Sequence, residues 1–525
     1  MKIILSILLP LVIIVGVICD SFVSLQTKLG PIRGLSSSVN INNATKYYTV
    51  FKKVPFAKPP VGDLRFRQPV LHGPWNGTLD ATSFGPSCIQ QFDPQANQYL
   101  PNLNQSEDCL HLNMYAPYGA STSNRKSVMI WVHGGGYVDG QGMAYDGSSL
   151  SVTGDVIVVT INYRLNIFGF FATSDGLASG NYGLWDQKLA IQWVNENIES
   201  FGGDRNSITI FGESAGGFSV ALHAIIPANR GLFRRVIEQS GTSNSFFSTT
   251  PVPYKASDEV ARVLNCSHKL TTDIMTCMRD KHSDDVYNAM QDFISFVTEG
   301  PDFHIVCYFA TVVDGILIKE NPRKVIANHN SSTYGFFKSL DVMIGTCESE
   351  GSVLVDYLSS LQKYLPFNIS EGISSEFLCK HILPLLASDY YNNDTTIAET
   401  ICREYNSKGS LPEQGVKAVD FYGDLFFYSP AVQSFNMHPF NNHTTKQFQY
   451  MNRRRSVFSH SLEYYPWLKG AGHASELLFL FPIKYNVTIP ADDISLSLTM
   501  MKYWSNFAKT GYVLYCIDEK KRWVL

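Results

Sequence analysis

The chain has 525 residues, of which 45% are hydrophobic and 13% aromatic, and its formal net charge is -4. This composition excludes a disordered chain and supplies enough apolar material for a large core. A sequence pI near 6.4 argues against a nucleic-acid partner, and the short basic run at 453–455 is interpreted as a solvated surface face.

The N-terminus is predicted to be a signal peptide, residues 1–19, cleaved after Cys19. Lys2 precedes an apolar run at 3–18 of about 16 residues, whereas a membrane-spanning helix needs roughly 20. A membrane anchor is the alternative. We expect secretion, no stable membrane anchor, and one domain over residues 20–525.

Glycosylation sequons also indicate export, because Asn-x-Ser/Thr is an acceptor only in the secretory pathway. The predicted sites are Asn43, Asn76, Asn104, Asn330, Asn368, Asn393, Asn442 and Asn486. A ninth sequon, at Asn265, directly precedes a cysteine and is left out of this prediction.

Cysteines of a secreted chain should mostly pair. Short spacing suggests Cys88 with Cys109 and Cys266 with Cys277, and makes Cys379 with Cys402 a possible third pair, although spacing alone does not fix connectivity. This leaves three cysteines unassigned: Cys307, Cys347 and Cys516.

Strand-like runs that alternate with helical segments predict an α/β fold, with a large, mostly parallel central sheet flanked by helices. The runs lie at 128–133, 156–161, 208–211, 236–237 and 342–344. A helix is predicted over 184–199, ended by Gly202, and a late helix over about 494–508, closed by Gly511.

The third of these runs leads into Gly212-Glu-Ser-Ala-Gly216 and then into a helical segment. A serine nucleophile needs this setting, because it sits on a strained strand-to-helix turn that only small neighbours allow. We therefore predict Ser214 as a catalytic nucleophile.

A glycine-rich segment, His133-Gly-Gly-Gly-Tyr137, follows the first run. Attack on an ester carbonyl produces an oxyanion, which backbone N–H groups can stabilise. The segment and the serine motif occur in the order that this chemistry requires, so the N–H groups of Gly135, Gly136 and Ala215 are predicted to form the oxyanion hole.

A serine hydroxyl needs a base, and a histidine held by a carboxylate supplies one. His473 lies on a glycine-rich loop late in the chain and is the predicted base; His133, His438, His443 and His460 lack a comparable setting. Glu350 follows a strand-like run and is the predicted acid, with Glu348 as the competing residue.

These residues resemble the type-B carboxylesterase and cholinesterase family over about residues 23–511. The likeness rests on blocks at 54–66, 106–113, 133–137, 162–164, 186–204 and 212–217. The resemblance implies an α/β-hydrolase fold and puts the triad on Ser214, Glu350 and His473. It also implies disulfides Cys88–Cys109 and Cys266–Cys277 and structural ion pairs Arg65–Glu107 and Arg164–Asp186.

The resemblance also bears on the substrate. We place in the substrate pocket Glu213, Tyr99, Tyr137, Val353 and Leu354. Tyr99 stands where cholinesterases carry a tryptophan that binds the choline cation, so a general carboxylesterase acting on small or lipid-like esters is favoured over a cholinesterase. A catalytically idle adhesion protein of the same fold is the alternative from another class.

No metal-binding or nucleotide-binding motif is found, so no cofactor is expected. From about residue 512 the sequence departs from the family pattern. Because related enzymes dimerise through C-terminal helices, an oligomer is possible but unsupported by this end of the chain.

Overall fold

The structure is a computed structural model that describes residues 21–91, 104–266, 271–299, 307–365, 367–438, 445–455, 465–482, 489–513 and 523–524. Several predictions concern residues outside these ranges: the signal peptide at 1–19, Tyr99, the sequons at Asn442 and Asn486, His443, His460 and Cys516.

Over these ranges a mixed sheet of twelve strands forms the centre of the fold, in the order β1-β2-β3-β5-β7-β6-β8-β9-β10-β11-β12, with β4 beside β2. The strands are β1 (Ser21–Thr27), β2 (Gly30–Ile41), β3 (Ala44–Pro55), β4 (Leu79–Asp80), β5 (His111–Pro117), β6 (Lys126–Val132), β7 (Ile157–Ile161), β8 (Gly203–Glu213), β9 (Arg235–Gln239), β10 (Asp341–Cys347), β11 (Gln447–Asn452) and β12 (Trp523–Val524).

Strands β7, β6, β8, β9, β10, β11 and β12, in that sheet order, run parallel to one another. Antiparallel pairing joins β1 to β2, β2 to β3, β3 to β5 and β5 to β7. The five strand-like runs of the sequence fall on β6 to β10, which confirms the predicted α/β fold. Strands such as β7 and β10 are buried along their whole length, as expected where helices cover both faces of a parallel sheet.

Helices cover both faces. Their bounds are α1 (Ser148–Gly154), α2 (Asn166–Phe170), α3 (Tyr182–Asn197), α4 (Ala215–Ala224), α5 (Lys255–Val263), α6 (Thr271–Asp280), α7 (Ser283–Glu299), α8 (Pro322–Ala327), α9 (Ser332–Phe337), α10 (Ser352–Ser360), α11 (Ser375–Phe377), α12 (Leu383–Tyr390), α13 (Thr395–Tyr405), α14 (Leu411–Gly423), α15 (Ser429–Met437), α16 (Leu477–Leu480) and α17 (Ala491–Thr510). Among the helices described here, none has the length and apolar character that crossing a membrane requires.

Both predicted helices are present. The first is α3, extended by a 3₁₀ turn to Phe201, and the second is α17. Gly202 and Gly511 follow them with φ angles of 82° and 78°, a left-handed conformation that glycine adopts without steric cost.

The core is divided by the sheet because side chains alternate between its faces. Residues such as Ile130 and Val236 belong to the cluster that also holds side chains of α3 and α4. Their neighbours Trp131 and Ile237 belong to the second cluster, which includes Trp504 of α17. Helix α17 is therefore part of the core.

Disulfide bonds join Cys88 to Cys109, Cys266 to Cys277 and Cys379 to Cys402. The first two pairings agree with the family resemblance, and the third is the possible pair suggested by spacing. Each bond closes a loop between residues near in sequence, which restricts the unfolded chain.

Two ion pairs, both expected from the resemblance, hold the scaffold near the first disulfide; the first is partly buried and the second fully buried. Arg65 lies 2.5 Å from Glu107 and also donates to the carbonyl oxygens of Met278, Arg279 and Lys281, so it ties the end of α6 to this region. Arg164 Nη2 lies 2.7 Å from Asp186 Oδ1, and both side chains are buried.

Asp186→Ala should lower the free energy of unfolding by about 3–5 kcal/mol, because it leaves the Arg164 guanidinium buried without its carboxylate. Urea denaturation of the variant and parent measures this. Asp420→Ala removes the carboxylate of a solvent-exposed pair with Lys417 and serves as control, with an expected loss of less than about 1 kcal/mol. Equal losses of unfolding free energy in the two variants would contradict the assignment of Arg164 and Asp186 as a buried ion pair that stabilises the scaffold.

Candidate active site

Ser214 occupies a sharp turn between β8 and α4, with φ 55° and ψ -122°. A Cβ at Gly212 would come within 2.6 Å of the backbone of Gly216, and one at Gly216 within 2.0 Å of the Val132 carbonyl oxygen. The flanking glycines are therefore required by close backbone approach. The structure has the strand, turn and helix that the motif predicted.

The glycine-rich segment forms a tight loop after β6. Gly135, Gly136 and Tyr137 have φ angles of 98°, 60° and 66°. The Gly135 carbonyl accepts hydrogen bonds from the N–H groups of Val138 and Asp139, and a Cβ on Gly135 would collide with Asp139. Gly135 and Gly136 line the same cavity as Ser214 and Ala215, so all the predicted oxyanion donors border one space.

His473 and Glu350 are joined by a short hydrogen bond of 2.6 Å between Nδ1 and Oε2. Glu350 is fully buried, and its second oxygen, Oε1, accepts from Ser240 Oγ and from the Cys347 N–H, each at 2.5 Å. The backbone N–H of His473 donates to Ser352 Oγ at 2.9 Å. Both members of the pair are thus held in one orientation.

Glu348, the competing acid, is directed away from this pair. Its carboxylate lies 2.7 Å from the Arg453 guanidinium in a partly exposed surface ion pair. The carboxylate that contacts His473 Nδ1 is that of Glu350.

The other described candidate histidines lie outside the cavity and make contacts elsewhere in the fold. Burial lowers the pKa of His133 to about 4, and its ring stacks on Tyr163 behind the glycine-rich loop. His438 bridges the Gln447 side chain and the Leu340 carbonyl oxygen. Neither lines the cavity that contains Ser214.

Glu213, next to the nucleophile, contacts the other nitrogen of the imidazole: its Oε1 lies 3.1 Å from His473 Nε2. Burial raises the pKa of Glu213, and the neighbouring His473 opposes that shift. Burial alone would lower the pKa of His473, but the carboxylates of Glu213 and Glu350 outweigh it and raise this pKa to about 9. The site therefore favours a positive charge on the imidazole.

The cavity has a volume of about 730 Å³ and holds Ser214 and His473 in its lining. Its wall is mainly aromatic and aliphatic, and includes Phe218, Phe247, Phe309, Phe427, Tyr357, Met290 and Ile294. Such a lining suits an apolar organic ligand. Over the described part of the chain, no cluster of three or more potential metal ligands is present.

Among the predicted pocket residues, Glu213, Tyr137 and Val353 line this cavity. Leu354 does not: it is fully buried in the core. Val353 and Leu354 are consecutive residues of α10, and successive helical side chains diverge by about 100°, so only one of them faces the cavity. Tyr99 lies outside the described residues.

Several residues that contact the site were not predicted, namely Ser240, Cys347, Ser352, Phe427 and Glu476. Ser240 directly follows β9 with a φ of 49°, and Cys347 is the last residue of β10. A position at the carboxyl end of a parallel strand was the available signal for both. Phe427 and Glu476 carried no local pattern.

Comparison with known proteins places the chain among ester hydrolases. Residues 21–523 match the model of the carboxylesterase family. The chain is 32% identical to the medium-chain fatty acyl-CoA hydrolase precursor of Anas platyrhynchos over 499 residues, 92% of this chain and 84% of the duck protein. It is 32% identical to liver carboxylesterase of Sus scrofa over 508 residues, 91% of this chain and 84% of the pig protein.

Glu213→Gln should lower the pKa of His473, because removing a carboxylate 3.1 Å from Nε2 destabilises the imidazolium. Labelling of Ser214 by a fluorophosphonate needs neutral His473. The acid limb of the pH profile of the labelling rate should therefore move to lower pH by roughly one unit. Glu348→Gln, on the same loop as Glu350, is the matched control and should leave the limb unchanged. A shift to higher pH in Glu213→Gln would refute the assigned interaction.

Proposed function

The chain belongs to the carboxylesterase family, and we propose that it is a secreted serine hydrolase of carboxylic esters that uses Ser214, His473 and Glu350 and forms an acyl-enzyme. The observation that carries the proposal is the 2.6 Å contact of His473 with Glu350 beside a cavity that Ser214 and the oxyanion-loop glycines also line.

In the acylation step, Ser214 Oγ attacks the ester carbonyl carbon while His473 Nε2 takes the hydroxyl proton. Glu350 accepts a hydrogen bond from Nδ1–H, fixing the tautomer and stabilising the imidazolium. The N–H groups of Gly135, Gly136 and Ala215 stabilise the tetrahedral oxyanion. The intermediate then collapses, and His473 gives the proton to the leaving alcohol.

In the deacylation step, water takes the place of the alcohol. His473 removes a proton from the water as its oxygen attacks the acyl carbonyl, and the same N–H groups hold the second oxyanion. Collapse breaks the bond to Ser214 Oγ, which recovers its proton from His473. The products are a carboxylic acid and free enzyme, with no cofactor required.

The cavity lining supports an apolar ester as substrate, because aromatic and aliphatic side chains form most of its wall. Relatives are named for carboxylesterase and fatty acyl-CoA hydrolase activity. We propose a general carboxylesterase specificity for this chain, with Val353 in the wall beside the catalytic acid.

Secretion is supported by the disulfides and the sequons. The three disulfide bonds are typical of an oxidising compartment. The predicted glycosylation asparagines within the described ranges are exposed, as attachment of a glycan requires. These are Asn43, Asn76, Asn104, Asn330, Asn368 and Asn393. We propose that residues 1–19 direct export and that residues 20–525 form one catalytic domain.

Protein purified from the medium of a secreting host should hydrolyse p-nitrophenyl acetate and butyrate, and Ser214→Ala should reduce kcat on the order of 10⁶-fold, to background. Release of p-nitrophenol measures both. A folded, glycosylated parent without turnover would overturn the proposal and favour a binding role.

Glu350→Gln should lower kcat on the order of 10⁴-fold with little change in KM. The amide keeps the volume and can still accept from Ser240 and Cys347, but its NH₂ group would face Nδ1 and favour the wrong imidazole tautomer. Steady-state kinetics on p-nitrophenyl butyrate test this, and Glu348→Gln is again the control. Near-parental kcat in Glu350→Gln would remove Glu350 from the mechanism.

A further inference from the structure

A chain of hydrogen bonds connects α17 to the predicted acid of the site. Trp504 of α17 donates Nε1–H to Gln239 Oε1 at 2.9 Å, and Gln239 Nε2 donates to Glu476 Oε1 at 3.2 Å. The other oxygen of Glu476 accepts from Cys347 Sγ at 2.9 Å. Cys347 in turn donates its backbone N–H to Glu350.

Cys347 is the link between the two carboxylates. It is fully buried at the end of β10, and its thiol, backbone N–H and carbonyl oxygen each make a hydrogen bond. The thiol binds Glu476, the N–H binds Glu350 Oε1 at 2.5 Å, and the carbonyl oxygen accepts from Tyr428 Oη at 2.5 Å. Because Glu476 is three residues after His473, the thiol also fixes the loop that carries the imidazole.

We propose that Cys347 is a positioning residue for ester hydrolysis, whose thiol holds Glu476 as a carboxylate beside Glu350 and so strengthens the negative field at His473. The inference rests on the proposed function of the site, but it assigns a role to a thiol that does not touch substrate.

The charges around Cys347 and Glu476 support this positioning role. Burial and the charges of Glu476 and Glu350 raise the pKa of Cys347 well above its usual value, so the thiol remains a neutral donor. Burial and the charge of Glu350 raise the pKa of Glu476, and hydrogen bonds from the Cys347 thiol, from the backbone N–H of Glu476 itself and from Gln239 oppose that shift. An ionised Glu476 in turn raises the pKa of His473.

The other titratable groups around Cys347, Glu350 and Glu476 cannot replace the thiol as the donor that holds Glu476 as a carboxylate. Burial raises the pKa values of Tyr428 and Tyr450, so both phenols stay neutral. Glu213, on the end of β8, faces the opposite side of the imidazole at Nε2. Glu350 is engaged through both oxygens. The thiol of Cys347 is thus the donor at Glu476 Oε2, while Gln239 binds Oε1.

The test is the pH dependence of kcat/KM on p-nitrophenyl butyrate for Cys347→Ala and Cys347→Ser. Alanine removes the donor, so Glu476 should protonate more readily, and the acid limb should move to lower pH by about 0.5–1 unit with a severalfold loss of kcat. Serine keeps a donor and should restore the parental limb. An acid limb that is unchanged in Cys347→Ala would overturn the inference. So would an acid limb that Cys347→Ser shifts as far as Cys347→Ala does.

Glu476→Gln provides an independent measurement. It removes the charge itself, so it should shift the acid limb in the same direction, and adding Cys347→Ala to it should produce no further shift. An unchanged limb in Glu476→Gln, or fully additive shifts, would contradict the proposal, and this variant decides the matter if Cys347→Ala fails to fold. An inactive parent enzyme would instead overturn the proposed esterase function.

Discussion

The contact between His473 Nδ1 and Glu350 Oε2 is the interaction on which the site depends. A buried carboxylate is stable only when hydrogen bonds and opposite charge compensate for lost hydration. Glu350 obtains these from Ser240, from the N–H of Cys347 and from the imidazole. The same bonds that satisfy this buried carboxyl group therefore also orient the imidazole of His473 towards the cavity.

Parallel strand ends bring these groups together. β9 pairs in register with both β8 and β10, so Ser214, Ser240 and Cys347 emerge at the same edge of the sheet from three neighbouring strands. Glu213 and Glu350 then approach the imidazole from opposite sides, at Nε2 and Nδ1. In the proposed mechanism, the positive charge that His473 acquires during proton transfer is stabilised by groups already fixed in place, which reduces the cost of reorganisation.

Local backbone constraints explain why some parts of the site could be predicted from the sequence and others could not. The turn at Ser214 and the loop at Gly135 need glycines at fixed spacing, so both could be recognised from short motifs. Ser240 and Cys347 act through hydrogen bonds between strands distant in sequence, so no short motif marks them and their position at a strand end was the available signal. The antiparallel strands β1 to β3 were not predicted because their polar and half-exposed residues lack a continuous apolar run. Leu354 was assigned to the pocket, yet the direction of α10 puts it in the core.

Detection of the acyl-enzyme tests the central claim most directly. Parent enzyme mixed with p-nitrophenyl butyrate and quenched with acid within milliseconds can be digested and mapped by mass spectrometry. The mechanism predicts a butyryl group on the peptide that contains Ser214, at an occupancy that decays as substrate is exhausted. Turnover with no acylated peptide, or with butyryl on another residue, would contradict the assignment of Ser214 as the nucleophile.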